Sequence, residues 1–510
     1  MSNSLRNCLV FVWFVCLVGS SSALLRLSVA LLTLAGAMAQ EVAIYRSSQA
    51  GERVARLPAA AFTEAAAPAD SGFTINEQVQ FQKMLGFGAS FLEAGMICIN
   101  SLEPAAQEKV FASLFDPVQG AGFTAMKTVI GATDFMSAGP MYTYADTPGD
   151  VGMKSFSIAR DLEPNGLVPY IKRARKYGEF ILQATMDYPP DWMLADIHKE
   201  QNVDKKYYDA LALYYLRYLQ EYGKQGINID YLSPFNEPMG YTKIPFTELR
   251  DLIKRHIGPL FYRENVRTRL QTSDFIDRVT ALRGATIILD DPEAARYIAG
   301  IAYHGYDWRR QPIRPETRTG YQFDEFKAIN ELFRRFRGTI PLWMTEICYY
   351  NGGTAWAKPL PRYEFEDGDW WGHQIFSDIE AGASGWTYWN MILDQNGGPW
   401  LVSTVHGNPE NNVQHPVVVI NRETREVSYT GLYYYLAHFS KFVRPSAARI
   451  GSPGKIPGVR CLAFRHTDGR IVAQLMNSRA EEQNVTLNWN QKTLQLALPA
   501  ISITTCLWKG

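Results

Sequence analysis

Tyr231-Leu-Ser-Pro-Phe-Asn-Glu-Pro238 is the stretch that decides how this chain is read. It reads as a short buried β-strand that stops at Asn236-Glu237-Pro238, because proline removes a backbone donor and ends the ladder. The stop leaves a carboxylate at the C-terminal tip of a strand, the end at which a parallel barrel gathers its chemistry. A second tip of the same kind follows 109 residues later, where Pro341-Leu-Trp-Met-Thr-Glu-Ile-Cys348 carries Glu346.

Working outward, short apolar strands alternate with amphipathic helical stretches from Leu85 onward. That alternation argues for βα units and a parallel sheet. Eight strands are predicted: near Leu85–Phe91, Ala125–Ile130, Phe180–Thr185, Ile229–Pro234, Ala285–Leu289, Ile298–Tyr303, Pro341–Thr345 and Gly385–Trp389. Several are near-continuous apolar runs, as strands covered on both faces are. The expected fold is α/β, a (β/α)8 TIM barrel, with Glu237 at the tip of strand 4 and Glu346 at the tip of strand 7. Asp204 is a fitting N-cap for a helix over 205–222, whose buried stripe is Leu211, Tyr215, Tyr218 and Tyr222, and Gly223 and Gly226 end it. Phe323–Phe336 and Asp369–Ala381 read the same way. After about residue 430 the pattern gives way to short strands at Val459–Arg465, Arg470–Met476, Asn484–Trp489 and Ser502–Trp508. These predict a small antiparallel β-sandwich, joined by an N-terminal strand near Val42. The expected organisation is a cleaved signal over 1–39, a segment over 40–78 that joins the β domain, the barrel over 79–429 and the C-terminal β domain over 430–510.

Bulk properties set the outer limits. The chain has 510 residues, 46% of them hydrophobic, enough for one large core and a smaller one. Lys+Arg and Asp+Glu both number 51, so there is no basic footprint for nucleic acid. Aromatic residues make up 13%, which fits either a sugar-binding cleft or a well-packed aromatic core. The apolar run Leu27–Ala37 follows Arg26 and ends in Ala37-Met38-Ala39, a small-x-small cleavage pattern before Gln40. Leu24–Ala39 is therefore read as a secretory signal, and the protein as secreted or periplasmic. The earlier run Cys8–Val18 is either an over-extended start or part of a long signal. Both runs are short for a bilayer, and no later segment reads as a transmembrane anchor. Cleavage removes Arg6 and Arg26, which leaves 49 basic against 51 acidic side chains, net −2. Cys98, Cys348, Cys461 and Cys506 then remain, at spacings that fit no zinc pattern. Cys461 and Cys506 read either as a disulfide pair or as two buried free thiols.

Two carboxyl groups flanking one bond are what glycoside hydrolysis needs. One protonates the leaving oxygen, and the other attacks the anomeric carbon or activates water. Strands 4 and 7 of an eight-stranded barrel face each other across its mouth, which is compatible with the roughly 5–5.5 Å of a retaining pair. Glu237 and Glu346 are thus the candidate catalytic residues, and the Asn236 amide is placed to donate to a substrate hydroxyl. This chemistry asks for no metal and no organic cofactor. The implied partner is a carbohydrate or glycolipid substrate.

Beyond these residues the chain resembles glycoside hydrolase family 30, and most its glucosylceramidase branch, from about residue 85 to 510. Gly86-Phe-Gly-Ala-Ser-Phe-Leu-Glu93 resembles the first-strand motif, and Ile130-Gly-Ala-Thr-Asp134-Phe135 the second-strand tip. Tyr142–Asp146 and Phe156–Ile158 resemble the region that follows it. Ser233–Pro238 resembles the acid/base motif, and Thr345-Glu346-Ile-Cys348 the nucleophile motif. Gly385-Trp-Thr-Tyr-Trp389-Asn390 resembles the eighth-strand motif, and Tyr435–Pro445 the entry to the β domain. The resemblance implies a retaining β-glycosidase with Glu237 as acid/base and Glu346 as nucleophile. It implies that Asp134, Asn236 and Trp389 bind the first sugar, and that His304 and Tyr306 stand near the nucleophile.

The departures from that pattern bear on substrate. The glucosylceramidase branch usually carries arginine where Lys127 stands, tryptophan where Asp187 stands and an aromatic where Gly305 lies. Lysine lacks the planar bidentate fork of arginine. Aspartate replaces a stacking surface with a group suited to sugar hydroxyls, so Asp187 joins the candidate substrate-binding residues. Glucosylceramidase-like hydrolysis of a β-glucosidic bond is the expected function. The alternatives on the same scaffold are an endo-β-1,6-glucanase, a β-1,6-galactanase or a xylan-active enzyme. A different class, a non-catalytic carbohydrate-binding protein, is disfavoured by the presence of both glutamates, Asn236 and Tyr306.

Overall fold

Eight parallel strands close into a barrel in the computed structural model. It describes residues 40–64, 72–137, 141–196, 200–240, 242–307, 325–336, 338–352, 364–399 and 412–510. The expected signal over Leu24–Ala39, the run Cys8–Val18, part of the Ala-rich loop at 59–69 and the start of the predicted helix at Phe323 lie outside those residues.

In chain order the barrel strands are Gly86–Ser90, Ala125–Val129, Ile181–Thr185, Tyr231–Ser233, Arg269–Phe275, Ile298–His304, Leu342–Glu346 and Gly385–Asn390. Each pairs in parallel with its sequence neighbours, and the eighth closes on the first through Gly385↔Gly86 to Tyr388↔Ala89. Five of the eight are buried along their whole length, and the other three at all but one residue. That is why they read as apolar runs rather than alternating ones.

The fifth strand corrects the sequence reading. Ala285–Leu289 is not a strand but the last turns of the helix Arg278–Leu289, and the strand lies earlier, at Arg269–Phe275. Isoleucines in Ala285-Thr-Ile-Ile-Leu289 favour a strand locally. Tertiary packing and a cap override that preference. Ala281, Ala285, Ile288 and Leu289 are buried at helical spacing, and the Asp277 side chain accepts the Thr280 backbone N–H at 2.7 Å. The true strand falls between the same neighbours, so Glu237 and Glu346 keep their places on strands 4 and 7.

The helix after the third strand opens with a 3-10 turn, Lys205–Tyr207, capped by Asp204, and runs on as Tyr208–Lys224. Its stripe Leu211, Tyr215, Tyr218 and Tyr222 is fully buried. The helix passes through Gly223, and Gly226 follows it at φ 74°. Glu325–Arg335 and Asp367–Ala381 follow the sixth and seventh strands. Gly431–Phe442 follows the eighth, so the barrel's βα pattern runs past residue 430, where the sequence alone suggests that it stops.

The second layer is a β-sandwich. One sheet runs Ala55–Arg56, Glu41–Ser48, Ser502–Lys509, Arg470–Asn477, Val459–Arg465, Ala448–Gly451 and Asn76–Lys83, so the strand at Val42 does join it. The other runs Thr63–Glu64, Lys492–Leu498, Gln483–Trp489 and Phe73–Thr74. Their inner faces share a core that includes Val42, Phe62, Leu487, Trp489 and Trp508. Cys461 and Cys506 are both buried there as free thiols. Their strands flank Arg470–Asn477 on opposite sides, which sets them about two strand spacings, roughly 10 Å, apart and beyond disulfide reach.

Candidate active site

Pro234 ends the fourth strand, and the residues after it are pinned from both sides. Asn236 donates its backbone N–H to Met186 O, and Glu237 donates its own to Asp274 O, both at 2.8 Å. Glu237 sits at φ 45°, a left-handed conformation that a non-glycine residue adopts only where its surroundings impose it. Gly240 closes the turn, donating its N–H to Glu237 O at 2.6 Å. A Cβ at Gly240 would lie 2.9 Å from that same oxygen, so only glycine fits under the acid. Glu346 is the last residue of the seventh strand and needs no such turn.

The topology brings the two glutamates together. A carboxylate oxygen of each lies within 4.8 Å of the other and of a ring nitrogen of His304. Both are almost fully buried, Glu237 at 6% and Glu346 at 5% exposure. Tyr306 donates its hydroxyl to Glu346 Oε1 at 2.9 Å, and Lys127 donates to Oε2 at 2.7 Å, so each oxygen of that carboxylate has a donor. The Cys348 sulfur stands 3.3 Å from the same Tyr306 hydroxyl. Glu237 Oε1 is held by His304 Nδ1 at 3.1 Å.

Beneath the pair lies a buried charge cluster. Lys127 also reaches Asp274 Oδ2 at 3.1 Å and Asn236 Oδ1 at 3.2 Å, with its ammonium 5.1 Å from the centre of the Trp389 ring. Burial alone would strip its proton, but Asp274 and Glu346 push its pKa above the ordinary lysine value. Burial likewise acts to raise Asp274. Lys127 and His304, with the Gln183 amide, reverse this and hold Asp274 well below the usual carboxylate range. Burial acts to lower His304. Glu346, Asp274 and Glu237 outweigh burial and Lys127, and its pKa is pushed up to about 9. His304 is therefore an imidazolium at neutral pH, donating to Glu237 and facing Glu346 at 3.7 Å and Asp274 at 3.9 Å.

The substrate-binding candidates line the same mouth. Trp389, on the eighth strand, is 2% exposed. Asp134, partly exposed on the loop after the second strand, donates its backbone N–H to Asp187 Oδ2 at 3.4 Å. Asp187 lies two residues past the third strand, and burial, then Asp134 and Glu346, drive its pKa far up against the pull of Lys127. Gly305 has no room for the aromatic side chain of the resembled branch. A Cβ there would meet Ile347 Cδ1 at 2.6 Å and Arg278 Nη2 at 3.2 Å.

All eight sequence candidates thus fall in one region. Asp274, Gln183 and Thr345, whose hydroxyl donates to Asp274 Oδ1 at 3.0 Å, are the functional neighbours that sequence reasoning missed. The signal that locates Asp274 is Asp277: read as a helix cap, it puts 278–289 in a helix and the strand before it. Glu237, His304 and Glu346 are the one group of metal-ligating side chains close enough to share an ion among the described residues. With His304 protonated, its ring presents N–H groups rather than a lone pair to a cation. Among the described residues no helix is long and apolar enough to cross a membrane.

Comparison with known proteins adds a family. The model of the glycosyl hydrolase family 30 TIM-barrel domain matches residues 84–443, and that of the family 30 β-sandwich domain matches 446–506. Lysosomal acid glucosylceramidase of Mus musculus is 27% identical over 457 residues, covering 86% of this chain and 83% of its own. An endo-1,6-β-D-glucanase of Neurospora crassa is 25% identical over 431 residues, covering 80% and 81%. Among solved structures, SrfJ from Salmonella typhimurium superposes with a TM-score of 0.80 at 21% identity, over 92% of this chain and 100% of its own.

Proposed function

The chain belongs to glycosyl hydrolase family 30, and from that premise we propose that it is a retaining β-glycosidase with Glu346 as nucleophile and Glu237 as acid/base. The separation of the pair carries this reading. One oxygen of each carboxylate lies within 4.8 Å of the other, closer than a pair that must hold a water between base and anomeric carbon. Retaining enzymes hold their carboxyl groups about 5–5.5 Å apart, inverting ones about 6.5–9.5 Å. In the first step a Glu346 oxygen attacks the anomeric carbon, the bond to the leaving oxygen breaks, and Glu237 gives that oxygen its proton. In the second, Glu237 takes a proton from water, the water oxygen attacks the anomeric carbon, and the Glu346 carboxylate departs.

The surrounding groups support this division of labour. Lys127 and Tyr306 fix both oxygens of Glu346, as a nucleophile that must point at one carbon requires. His304 grips Glu237 through Oε1 alone, leaving Oε2 for the proton that moves. The imidazolium also stabilises the carboxylate that Glu237 becomes.

For substrate, the mouse relative supports a β-glucosyl group on a glycolipid. The Neurospora relative supports the second reading, cleavage within a β-1,6-glucan. We place the enzyme outside the cytosol, secreted or periplasmic, on the Leu24–Ala39 pattern. The test is to incubate the protein with a cyclophellitol-type epoxide and map the adduct. Rates on aryl β-glycosides, glucosylceramide and β-1,6-glucan follow, with NMR of the first product formed. The expected results are one adduct on Glu346, a first product that keeps the β configuration, and a loss of about 10³-fold or more in Glu346→Gln. An α-configured first product, or an undiminished rate in Glu346→Gln, sinks the assignment.

A further inference from the structure

One buried carboxyl oxygen in the site is left without a partner among the described residues. Lys127 has three hydrogens to donate, and Asp274, Glu346 and Asn236 take one each. His304 directs its two N–H groups at Glu237 and at the Glu346–Asp274 side. These two cations balance the carboxylates of Asp274 and Glu346, and neither is hydrogen-bonded to Asp187. Yet Asp187 is 1% exposed. Its Oδ2 accepts the Asp134 backbone N–H, while its Oδ1 has no hydrogen-bond partner among the described residues. A buried carboxyl oxygen without a partner is rare in folded proteins and is relieved by whatever ligand supplies one.

The position of Asp187 says where that ligand sits. Met186, one residue before it, accepts the Asn236 backbone N–H, so the tip of the third strand is tied to the turn that carries Glu237. The groups that act on the Asp187 carboxyl are Asp134 on the loop after the second strand, Lys127 on the second strand and Glu346 on the seventh. Burial, then the charges of Asp134, Asp187 and Glu237, raise the Tyr188 hydroxyl next to it in the chain. Asp187 therefore borders the space between the two glutamates.

Building on the retaining-glycosidase reading above, we propose that Asp187 and Asp134 form the hydroxyl-reading wall of the first sugar subsite. Asp187 is its specificity-determining residue, and the substrate it selects is a neutral hexoside.

The chemistry of the pair suits a sugar hydroxyl. Burial, then the Asp134 and Glu346 carboxylates close by, drive the Asp187 pKa up against the pull of Lys127, which favours the protonated carboxyl. A protonated carboxyl offers one O–H donor and further acceptor capacity, whereas the Asp134 carboxylate accepts only. A hydroxyl both accepts and donates, so it takes the Asp187 proton as acceptor and gives its own to Asp134. A uronic acid carboxylate has no hydrogen for Asp134 and meets its charge, which excludes acidic sugars from this subsite.

The experiment is a set of double-mutant cycles. The aryl β-hexoside cleaved fastest, and its 2-, 3-, 4- and 6-deoxy analogues, are assayed on the unmodified enzyme, Asp187→Ala and Asp187→Asn. Intrinsic effects of each deoxygenation cancel within a cycle. One deoxy position is expected to cost the unmodified enzyme about 10–100-fold in kcat/KM and to cost Asp187→Ala less than about threefold. Asp187→Asn, which keeps a donor but cannot ionise, is expected to keep the unmodified enzyme's pattern and to lose its rise in KM at alkaline pH. Cycles with Asp187→Ala that are additive at all four positions overturn the proposal. If Asp187→Ala does not fold, Asp187→Leu takes its place in the cycles, and with either variant an unchanged alkaline KM profile in Asp187→Asn also overturns it. Labelling of Glu346 by the epoxide separates the two levels. An unmodified enzyme that takes no label breaks the parent reading, whereas labelling with additive cycles breaks only this one.

Discussion

Lys127 shows what a single buried charge does for the site. Its ammonium is wholly enclosed and bonded to Asp274, Glu346 and Asn236, so it holds parts of the second, fourth, fifth and seventh strands to one point. Removing one partner of such a pair leaves an uncompensated buried charge, which costs about 3–5 kcal/mol. Lys127→Met is therefore expected to lose about that much stability in urea denaturation, with catalysis falling alongside because Glu346 loses one of its two donors. Adding Asp274→Asn to Lys127→Met removes the stranded charge and is expected to restore at least half of the loss. A double variant as unstable as the sum of its parts shows that the four groups do not act as a unit. At this scale the sequence was most legible where the backbone announces itself. Proline after a strand marks Glu237, and the strand end marks Glu346. It was least legible at Asp274 and Gln183, which sit inside the barrel on polar-looking strands. There an acid is explained only by a lysine 147 positions away in the chain.

Between elements, the long connection after the second strand needs an anchor, because it carries Asp134. That anchor is Asp161, on the 3-10 turn Ala159–Leu162. It accepts hydroxyl hydrogen bonds from Tyr144 and Tyr222 at 2.5 Å and from Tyr142 at 3.2 Å. Tyr222 belongs to the helix Tyr208–Lys224, whose Tyr215 donates to Pro234 O just ahead of the acid/base turn. Helical spacing identified this stripe as core, which it is. The pattern could not show that the hydroxyl ends of the same rings tie two active-site loops together. The fifth strand failed for a related reason: propensity is local, and the cap at Asp277 outweighs it. Burial raises Asp161 to about 6, with the three tyrosines opposing. A raised acid binds its proton more tightly when folded, so its contribution is fully present below about pH 3.8 and is lost as pH rises to about 6. The difference corresponds to about 3 kcal/mol. In Asp161→Asn, which cannot ionise, stability relative to the unmodified protein is expected to rise by about that amount between pH 4 and 6. Asp307, also raised to about 6, keeps its share in both proteins and drops out of the comparison. An unchanged slope in Asp161→Asn contradicts the assignment.

Over the whole molecule, Glu41–Gly510 behaves as one compact unit, and the reason is the seam between barrel and sandwich. The sequence shows two patterns, alternating βα units and then short strands, and from them a barrel and a β domain. It does not show how thoroughly the two share polar contacts, because the partners lie hundreds of residues apart. Two histidines on barrel helices are central to that seam. His438, on Gly431–Phe442, meets Thr505 Oγ1 at 2.7 Å and Ser47 Oγ at 3.0 Å. His373, on Asp367–Ala381, meets Ser478 Oγ at 2.9 Å, and Arg460 donates to its carbonyl. Burial lowers both to about 3, helped at His373 by Arg460. A histidine lowered on folding must take up a proton when the chain unfolds in acid. Its stabilising contribution is complete above about pH 6.5 and is lost progressively as pH falls toward 3, by up to about 1.4 kcal/mol per unit for each ring. This runs opposite to Asp161 and Asp307, so the rings are tested by the difference between a variant and the unmodified protein. Calorimetry between pH 7 and 4 should show one transition for barrel and sandwich together. His438→Gln, which keeps a donor and an acceptor but cannot charge, should gain stability relative to the unmodified protein as pH falls. Two separate transitions at neutral pH, or an unaltered acid slope in His438→Gln, would mean that the two layers are stabilised independently and that the seam does not couple them.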